Sequence, residues 1–413
     1  MKNDKFILLL LLFIIAVFGY QVQFLSYVLS VLAIVYYIIT GELKISNYKI
    51  LLPLVLLLIL GTRYGTGFKI IHIVRDYVYF SSPIFSFLLG TILYKKLAFS
   101  NLKILFVTYG TIYSLYFLLQ TTLQFGSIFI SDTYDTRYSI GTGTPIPVLA
   151  FFFSIFSYKE IYKIIKNHYV MLGVMILNGV VLYYFSSRVY YFTILIFILL
   201  YLFYSFVSKY KQIGLILFLG VSLILFFGVY QMINGEGFLA EKMRNSLNEM
   251  FIQEFDGYES IINNWRAYEV FEVFNTMVQA PLINQIFGYG FGMLVYLEMG
   301  LLMPNIELNY IPIFHNGFAY VFVKTGFVGV IVFIAFGVNL LLKAKKRLSA
   351  SGVDKITFTL LLGCVLTVYF TTLVVNGFFS GESFYFILFI GYLYELICTN
   401  NLLYENKHNN CNI

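Results

Sequence analysis

Charge is scarce in this sequence. Only 11% of its 413 residues are Asp, Glu, Lys or Arg, whereas 60% are hydrophobic, and the mean hydropathy is +0.83. Soluble domains carry roughly 25% charged residues and about 45–50% apolar ones. So few charges could not cover the surface of a soluble fold this size, which excludes a soluble enzyme, a secreted disulfide scaffold and a nucleic-acid-binding protein. The net charge of +7 is therefore read through membrane topology. Cysteine is scarce too: Cys364, Cys398 and Cys411 show neither metal-ligand spacing nor a disulfide framework. There is no Asp-x-Asp metal motif and no internal repeat. The first apolar run has no small-residue cleavage site and reads as an uncleaved anchor.

What fills the chain is one apolar run after another. They fall near 6–20, 22–41, 48–62, 77–94, 104–125, 144–158, 169–185, 189–207, 213–231, 312–342, 356–375 and 383–398. Their lengths predict an all-α polytopic membrane protein of about 12 transmembrane helices. The run at 48–62 is short, and 312–342 is long enough to be broken. The organisation expected is an N-terminal bundle over 1–231 with about nine spans, an external helical segment over 232–311, C-terminal helices over 312–399 and a tail over 400–413. Lysines at 44 and 49, at 95, 96 and 103, at 159, 163 and 166, at 209 and 211, and at 343, 345 and 346 mark alternate loops. The positive-inside rule places those loops and both termini in the cytoplasm.

The segment 232–311 is acidic, with ten carboxylates against Lys242, Arg244 and Arg266. Helices are expected near 238–252 and 259–279, the latter ending at Ala280-Pro281, followed by the turn Gly288-Tyr289-Gly290-Phe291-Gly292. The Asn-rich tail 406–412 is expected to be disordered.

Arginine and lysine divide differently. On this topology Arg63, Arg75, Arg137, Arg188, Arg244 and Arg266 lie on the outer side and only Arg347 lies inside. Orientation treats the two residue types alike. A guanidinium grips phosphate through a planar fork, whereas an ammonium acts as a point charge. The asymmetry therefore points to a phosphate-bearing ligand at the outer boundary; snorkelling or pairing with loop acids is the alternative for any single arginine.

Four contexts carry candidate residues. His72, Arg75, Asp76 and Tyr79 share one face at the start of a span, facing either a cavity or one another. Arg137 precedes Tyr138-Ser139-Ile140-Gly141-Thr142-Gly143-Thr144-Pro145 at the opening of a helix, a backbone suited to an anion. Ser186-Ser187-Arg188 lies between two spans with almost no loop. Finally, Trp265-Arg266 opens an outer helix in which Glu269 is either a salt-bridge partner or, with Glu272 and Asp76, a reserve base. His315-Asn316-Gly317 begins the run interrupted at Lys324-Thr325-Gly326. His72 and His315 are the histidines placed for outer-face proton transfer.

In order, these pieces resemble the O-antigen ligase and O-antigen (surface polysaccharide) polymerase superfamily of bacterial inner membranes. The shared features are an arginine segment at a helix start, a Ser-Arg pair between spans, and a large external segment with an arginine helix. A Gly-x-Gly-x-Gly turn, then His-Asn, then Gly326-Phe327-Val328-Gly329 complete the set. The resemblance implies a metal-independent, cofactor-free glycosyltransferase of C-type membrane architecture. It would act on undecaprenyl-diphosphate-linked glycan at the outer face of the membrane, with a chain-length regulator protein as a further partner. Carried over by position, Arg188, Arg266 and His315 are the catalytic candidates. Arg137 follows less directly. Arg75 and Arg63 rest on their spacing more than on the family's motif, and with His72, Asp76, Glu269 and Asn316 they complete the diphosphate- and sugar-binding set. A polymerase is preferred to a ligase acting on lipid A core, because each surface glycan needs its own linkage-forming enzyme. A lipid-linked glycan flippase or transporter would instead show inverted repeats and midplane charges.

Overall fold

The computed structural model describes the chain apart from residues 1, 19–22, 45–47, 64–67, 128–139, 141–143, 186, 236–254, 256–259, 262–263, 304–305, 352–354 and 411–413. The side chains of some further residues, Arg188 and Glu382 among them, also lie outside that description. Runs of Leu, Ile, Val and Phe become helices because a backbone in lipid must satisfy its polar groups within its own segment. In chain order these are α1 (Lys2–Phe18), α2 (Gln23–Ile39), α3 (Leu52–Gly61), α4 (Ile70–Lys96), α5 (Phe99–Phe125), α6 (Ile146–Phe156), α7 (Tyr158–Ile165), α8 (His168–Phe185) and α9 (Arg188–Asn234). The polar segment expected to be external, the outer segment of that topology, contributes α10 (Trp265–Val278), α11 (Leu282–Phe287) and the strands β1 (Val295–Met303) and β2 (Ile306–Ile311). The chain closes with α12 (Gly317–Ser351), α13 (Lys355–Val375) and α14 (Phe384–Asn410).

This is an α-helical membrane protein: among the described residues, five helices (α4, α5, α8, α12 and α13) are long and apolar enough to cross a bilayer. The tightest crossing joins α4 to α14. A Cβ on Gly90 would overlap the Leu388 carbonyl, and one on Gly391 would overlap the Phe87 carbonyl. Glycines at both contact points let the two backbones touch, which is how helices associate where lipid supplies no hydrophobic drive. Beside the crossing, Tyr392 donates its hydroxyl to the Leu97 carbonyl at 2.8 Å.

The structure departs from the sequence reading in four places. The runs 189–207 and 213–231 form one uninterrupted helix, α9, of 47 residues. Ser208-Lys209-Tyr210-Lys211-Gln212 contains no Gly or Pro to break it, so the loop expected at Lys209 and Lys211 is absent. The outer segment is not purely helical: β1 and β2 pair antiparallel, with Val295 opposite Ile311 and a bulge between Tyr296 and Leu301. The helix expected over 259–279 is helical at Ser260 and Ile261 and again from Trp265, after a turn at Asn264, and the one expected near 238–252 lies outside the described residues. The tail expected to be disordered continues α14 as far as Asn410, since nothing in Leu402 to His408 stops a helix.

Candidate functional site

The site is organised by a break in α12. Gly326 adopts φ 68° and ψ −169°, which interrupts the helix and strands the carbonyls of the preceding turn. The outer Gly-rich turn takes them up. Tyr289 donates its N–H to the Val323 carbonyl at 2.9 Å, Gly290 donates to the Lys324 carbonyl at 3.0 Å, and Phe291 donates to the Gly61 carbonyl of α3 at 2.7 Å. Gly288 (φ 77°) lies against the Lys324 backbone and Gly326 against the Ile286 and Gly288 backbones, with no room for a Cβ at either. Turn and break are two halves of one joint between the outer segment and the bundle.

A buried charge pair locks the joint. Asp76 of α4 and Lys324 of α12, both fully buried, meet at 2.7 Å between Oδ2 and Nζ. Asp76 Oδ2 also accepts the Gly292 N–H at 2.8 Å, and Oδ1 accepts the Tyr320 hydroxyl at 2.6 Å. Lys324 donates a further hydrogen bond to the Met293 carbonyl. Asp76 was expected to face a ligand, neutralise Arg75 or serve as a reserve base. Its oxygens take Lys324, Tyr320 and Gly292, and the expected pairing with Arg75 is present as a longer ion pair, Nε to Oδ1 at 3.9 Å. The expected polar stripe therefore divides. Asp76 turns into the joint, while His72, Arg75 and Tyr79 line a separate cavity of about 380 Å³ beside α2.

The second arrangement sits where α12 begins. Glu269 of α10, buried, accepts the backbone N–H of His315 at 2.8 Å and the indole N–H of Trp265 at 2.7 Å. The His315 ring places Nδ1 3.0 Å from both carboxylate oxygens. A carboxylate only accepts hydrogen bonds, so Nδ1 is the donor in this contact. The side chain is 47% exposed. A buried carboxylate orienting a half-exposed imidazole is the geometry of a general base. Trp265, Arg266 and Glu269 all stand in the first turns of α10, so Arg266 shares a helix with the group that orients His315.

Two other residues hold this region in place. Asn316 accepts the Ala319 N–H at 3.0 Å through Oδ1, capping α12. Glu272 accepts the Glu298 N–H at 3.4 Å, tying β1 to α10. Burial pushes the Glu272 carboxyl above its ordinary value, partly offset by hydrogen bonds from Tyr268 and Glu298.

Of the other arginines singled out, only Arg63 has a described side chain. Arg63 is exposed just past α3. Arg188 opens α9, but its side chain lies outside the described residues, as do Arg137 and Arg244 entirely. Among the described residues, no group of three or more His, Cys, Asp or Glu is placed to hold a metal ion. Sequence reasoning missed Lys324 as the partner of Asp76. Part of the signal was present: a lysine inside an apolar run must find a counter-charge, and Asp76 borders the run 77–94. Nothing in the sequence marked Tyr320 as the third member.

Fold and geometry together define a helical membrane protein with a carboxylate-oriented histidine at the head of a broken membrane helix. No protein-family model matches the chain, and no curated protein shows significant similarity to it.

Proposed function

We propose that the protein is a membrane glycosyltransferase that polymerises undecaprenyl-diphosphate-linked oligosaccharide repeat units into O-antigen or capsular polysaccharide. It works at the outer face of a bacterial inner membrane, with both termini cytoplasmic and a C-type glycosyltransferase architecture. Twelve crossings would require α9 to act as two spans parted near Lys209. The observation that carries the reading is the Glu269–His315 pair, at the junction of the outer segment and a membrane helix and beside Arg266.

In this reading an acceptor sugar hydroxyl attacks the anomeric carbon of the donor. The hydroxyl proton passes to His315 Nε2, the bond from the anomeric carbon to the diphosphate oxygen breaks, and undecaprenyl diphosphate departs with the electron pair. Arg266 and Arg188 stabilise the charge that grows on the leaving group, the largest contribution in transfers of this kind. A leaving group neutralised by guanidinium needs no acid catalyst. Glu269 holds the imidazole in the tautomer that accepts the proton.

The test is reaction of the purified protein with a defined undecaprenyl-diphosphate oligosaccharide, with and without lipid A core as acceptor. Longer lipid-linked glycan without core, falling by about 10²–10⁴-fold in His315→Ala, supports a polymerase using a general base. Transfer only in the presence of core would make it a ligase. Consumption of substrate with no longer glycan would overturn the transferase reading.

A further inference from the structure

The corner where α10 meets α11 is built inside out. Glu269 and Glu272 of α10 are buried. Six residues over 273–287 are exposed, and five of them are apolar: Phe274, Val278, Pro281, Leu282 and Ile283, with Gln279 the sixth. Val278 and Leu282 are the barest, 73% and 70% exposed. Between Glu272 and Glu298 the chain has no Asp, Glu, Lys or Arg, although the segment as a whole is acidic. A surface in water carries its charges outside, and a contiguous exposed apolar patch marks a contact surface.

Packing against α12 sets the level of this corner. Near its start α10 meets the head of α12, where Glu269 accepts the His315 N–H at 2.8 Å. Further along, Phe274 meets Phe322 with ring centres 5.9 Å apart. The two helices therefore run the same way. The end of α11 then lies against the break itself, with Gly326 on the Ile286 and Gly288 backbones. From Gly317 to Gly326 no residue of α12 is exposed. Beyond the break an exposed stripe begins at once with Phe327, Ile331, Ile334, Val338 and Leu342. That spacing is one face of a helix, and in a membrane span it is the face that lipid covers. A hydrocarbon core takes about 20 helical residues. Counted back from Lys343, which opens the basic end of α12, they reach the turn holding Lys324 and Gly326. The break, and the corner level with it, stand at the boundary of the hydrocarbon.

From this we infer that the α10–α11 corner is inserted into the bilayer at the edge of its hydrocarbon, so that membrane lipid covers the patch. Val278, Leu282 and Ile283 enter the acyl chains, as the apolar face of an interfacial helix does. The insertion holds the polar segment at a fixed height on α12, with Glu269 and His315 above the anchor. A second copy of the chain is the rival occupant, and the experiment separates the two. The inference does not rest on the transferase reading, because it follows from packing and exposure and is measured without turnover.

The experiment is spin-label accessibility in the full-length protein, reconstituted into vesicles of phosphatidylethanolamine and phosphatidylglycerol. Single labels are placed by Val278→Cys and Leu282→Cys in a Cys411→Ser background, since Cys364 and Cys398 are buried. Phe327→Cys is the lipid-facing reference, and Glu298→Cys, exposed on β1, is the aqueous one. Molecular oxygen concentrates in hydrocarbon and a neutral nickel chelate in water. At both corner positions oxygen should relax the label more than nickel does, as at Phe327→Cys, with the order reversed at Glu298→Cys. Ile283→Cys replaces either corner variant that fails to fold. A corner label relaxed mainly by nickel would place the patch in water and overturn the inference. A corner label shielded from both agents would also overturn it, by showing that a second copy of the chain covers the patch.

Discussion

Breaking the Asp76–Lys324 pair from one side should damage the protein far more than removing both charges. Lys324→Met leaves a carboxylate with no solvent access, keeping only the Tyr320 hydroxyl at 2.6 Å and the Gly292 N–H at 2.8 Å. The nearest remaining cation, Arg75, has its Nε 3.9 Å away. Stranding one member of a buried pair costs about 3–5 kcal/mol. Asp76→Asn should cost a similar amount, because the Lys324 ammonium then keeps only the Met293 carbonyl and the Tyr320 ring, whose centre is 5.5 Å away. In the double variant no charge is stranded, and the amide that replaces the Asp76 carboxylate keeps an oxygen to accept from Tyr320 or Gly292. Its loss should therefore fall short of the summed single losses by about 2 kcal/mol or more. The assay is equilibrium unfolding in mixed micelles of rising SDS fraction. It can follow fluorescence of the single tryptophan, Trp265, which lies in the outer segment that the joint anchors. Strictly additive losses across the three variants would refute the claim that the pair acts as one buried unit.

The other predictions concern separate elements. Gly391→Leu should prevent the α4–α14 crossing, because its side chain would enter the Phe87 backbone; loss of folded protein on size exclusion is the readout, and Ile390→Leu is the control. Gly326→Ala should cost about 1–3 kcal/mol, because φ 68° with ψ −169° is a backbone region essentially confined to glycine, with more from overlap with the Ile286 carbonyl, measured in the same SDS titration. Glu272→Gln should stabilise the outer segment at neutral pH and change little in acid. A carboxyl raised by burial contributes stability that is fully present below its unfolded value and is lost as pH rises through its folded value; melting of wild type and variant at both pH values checks the sign. A cysteine introduced by Lys211→Cys should react with an impermeant maleimide only from the cytoplasmic side if α9 serves as two spans, and labelling from outside would rule that out.

Legibility from sequence tracked how local the cause was. The apolar runs identified the membrane helices because a backbone in lipid leaves few alternatives. The interruption expected at Lys324-Thr325-Gly326 is the place where α12 opens, since Gly326 carries the signal itself. His315 stood out because few histidines lie on the outer side. The hairpin was missed because pairing between strands is not written in either strand alone. The expected loop at Lys209 failed for a related reason: charge marks which side of a membrane a segment prefers, but does not break a helix.

Composition and periodicity, on their own, determined that this is a helical membrane protein, where its long polar segment lies, and which residues were chemically worth watching. Only the tertiary structure decided their partners. Asp76 and Arg75 are neighbours in the chain, yet one is drawn into a joint with Lys324 and the other faces an apolar cavity. Adjacent positions on a helix point about 100° apart, and what each meets depends on helices hundreds of residues away. The same holds for Glu269, whose carboxylate the fold brings to His315, 46 residues on.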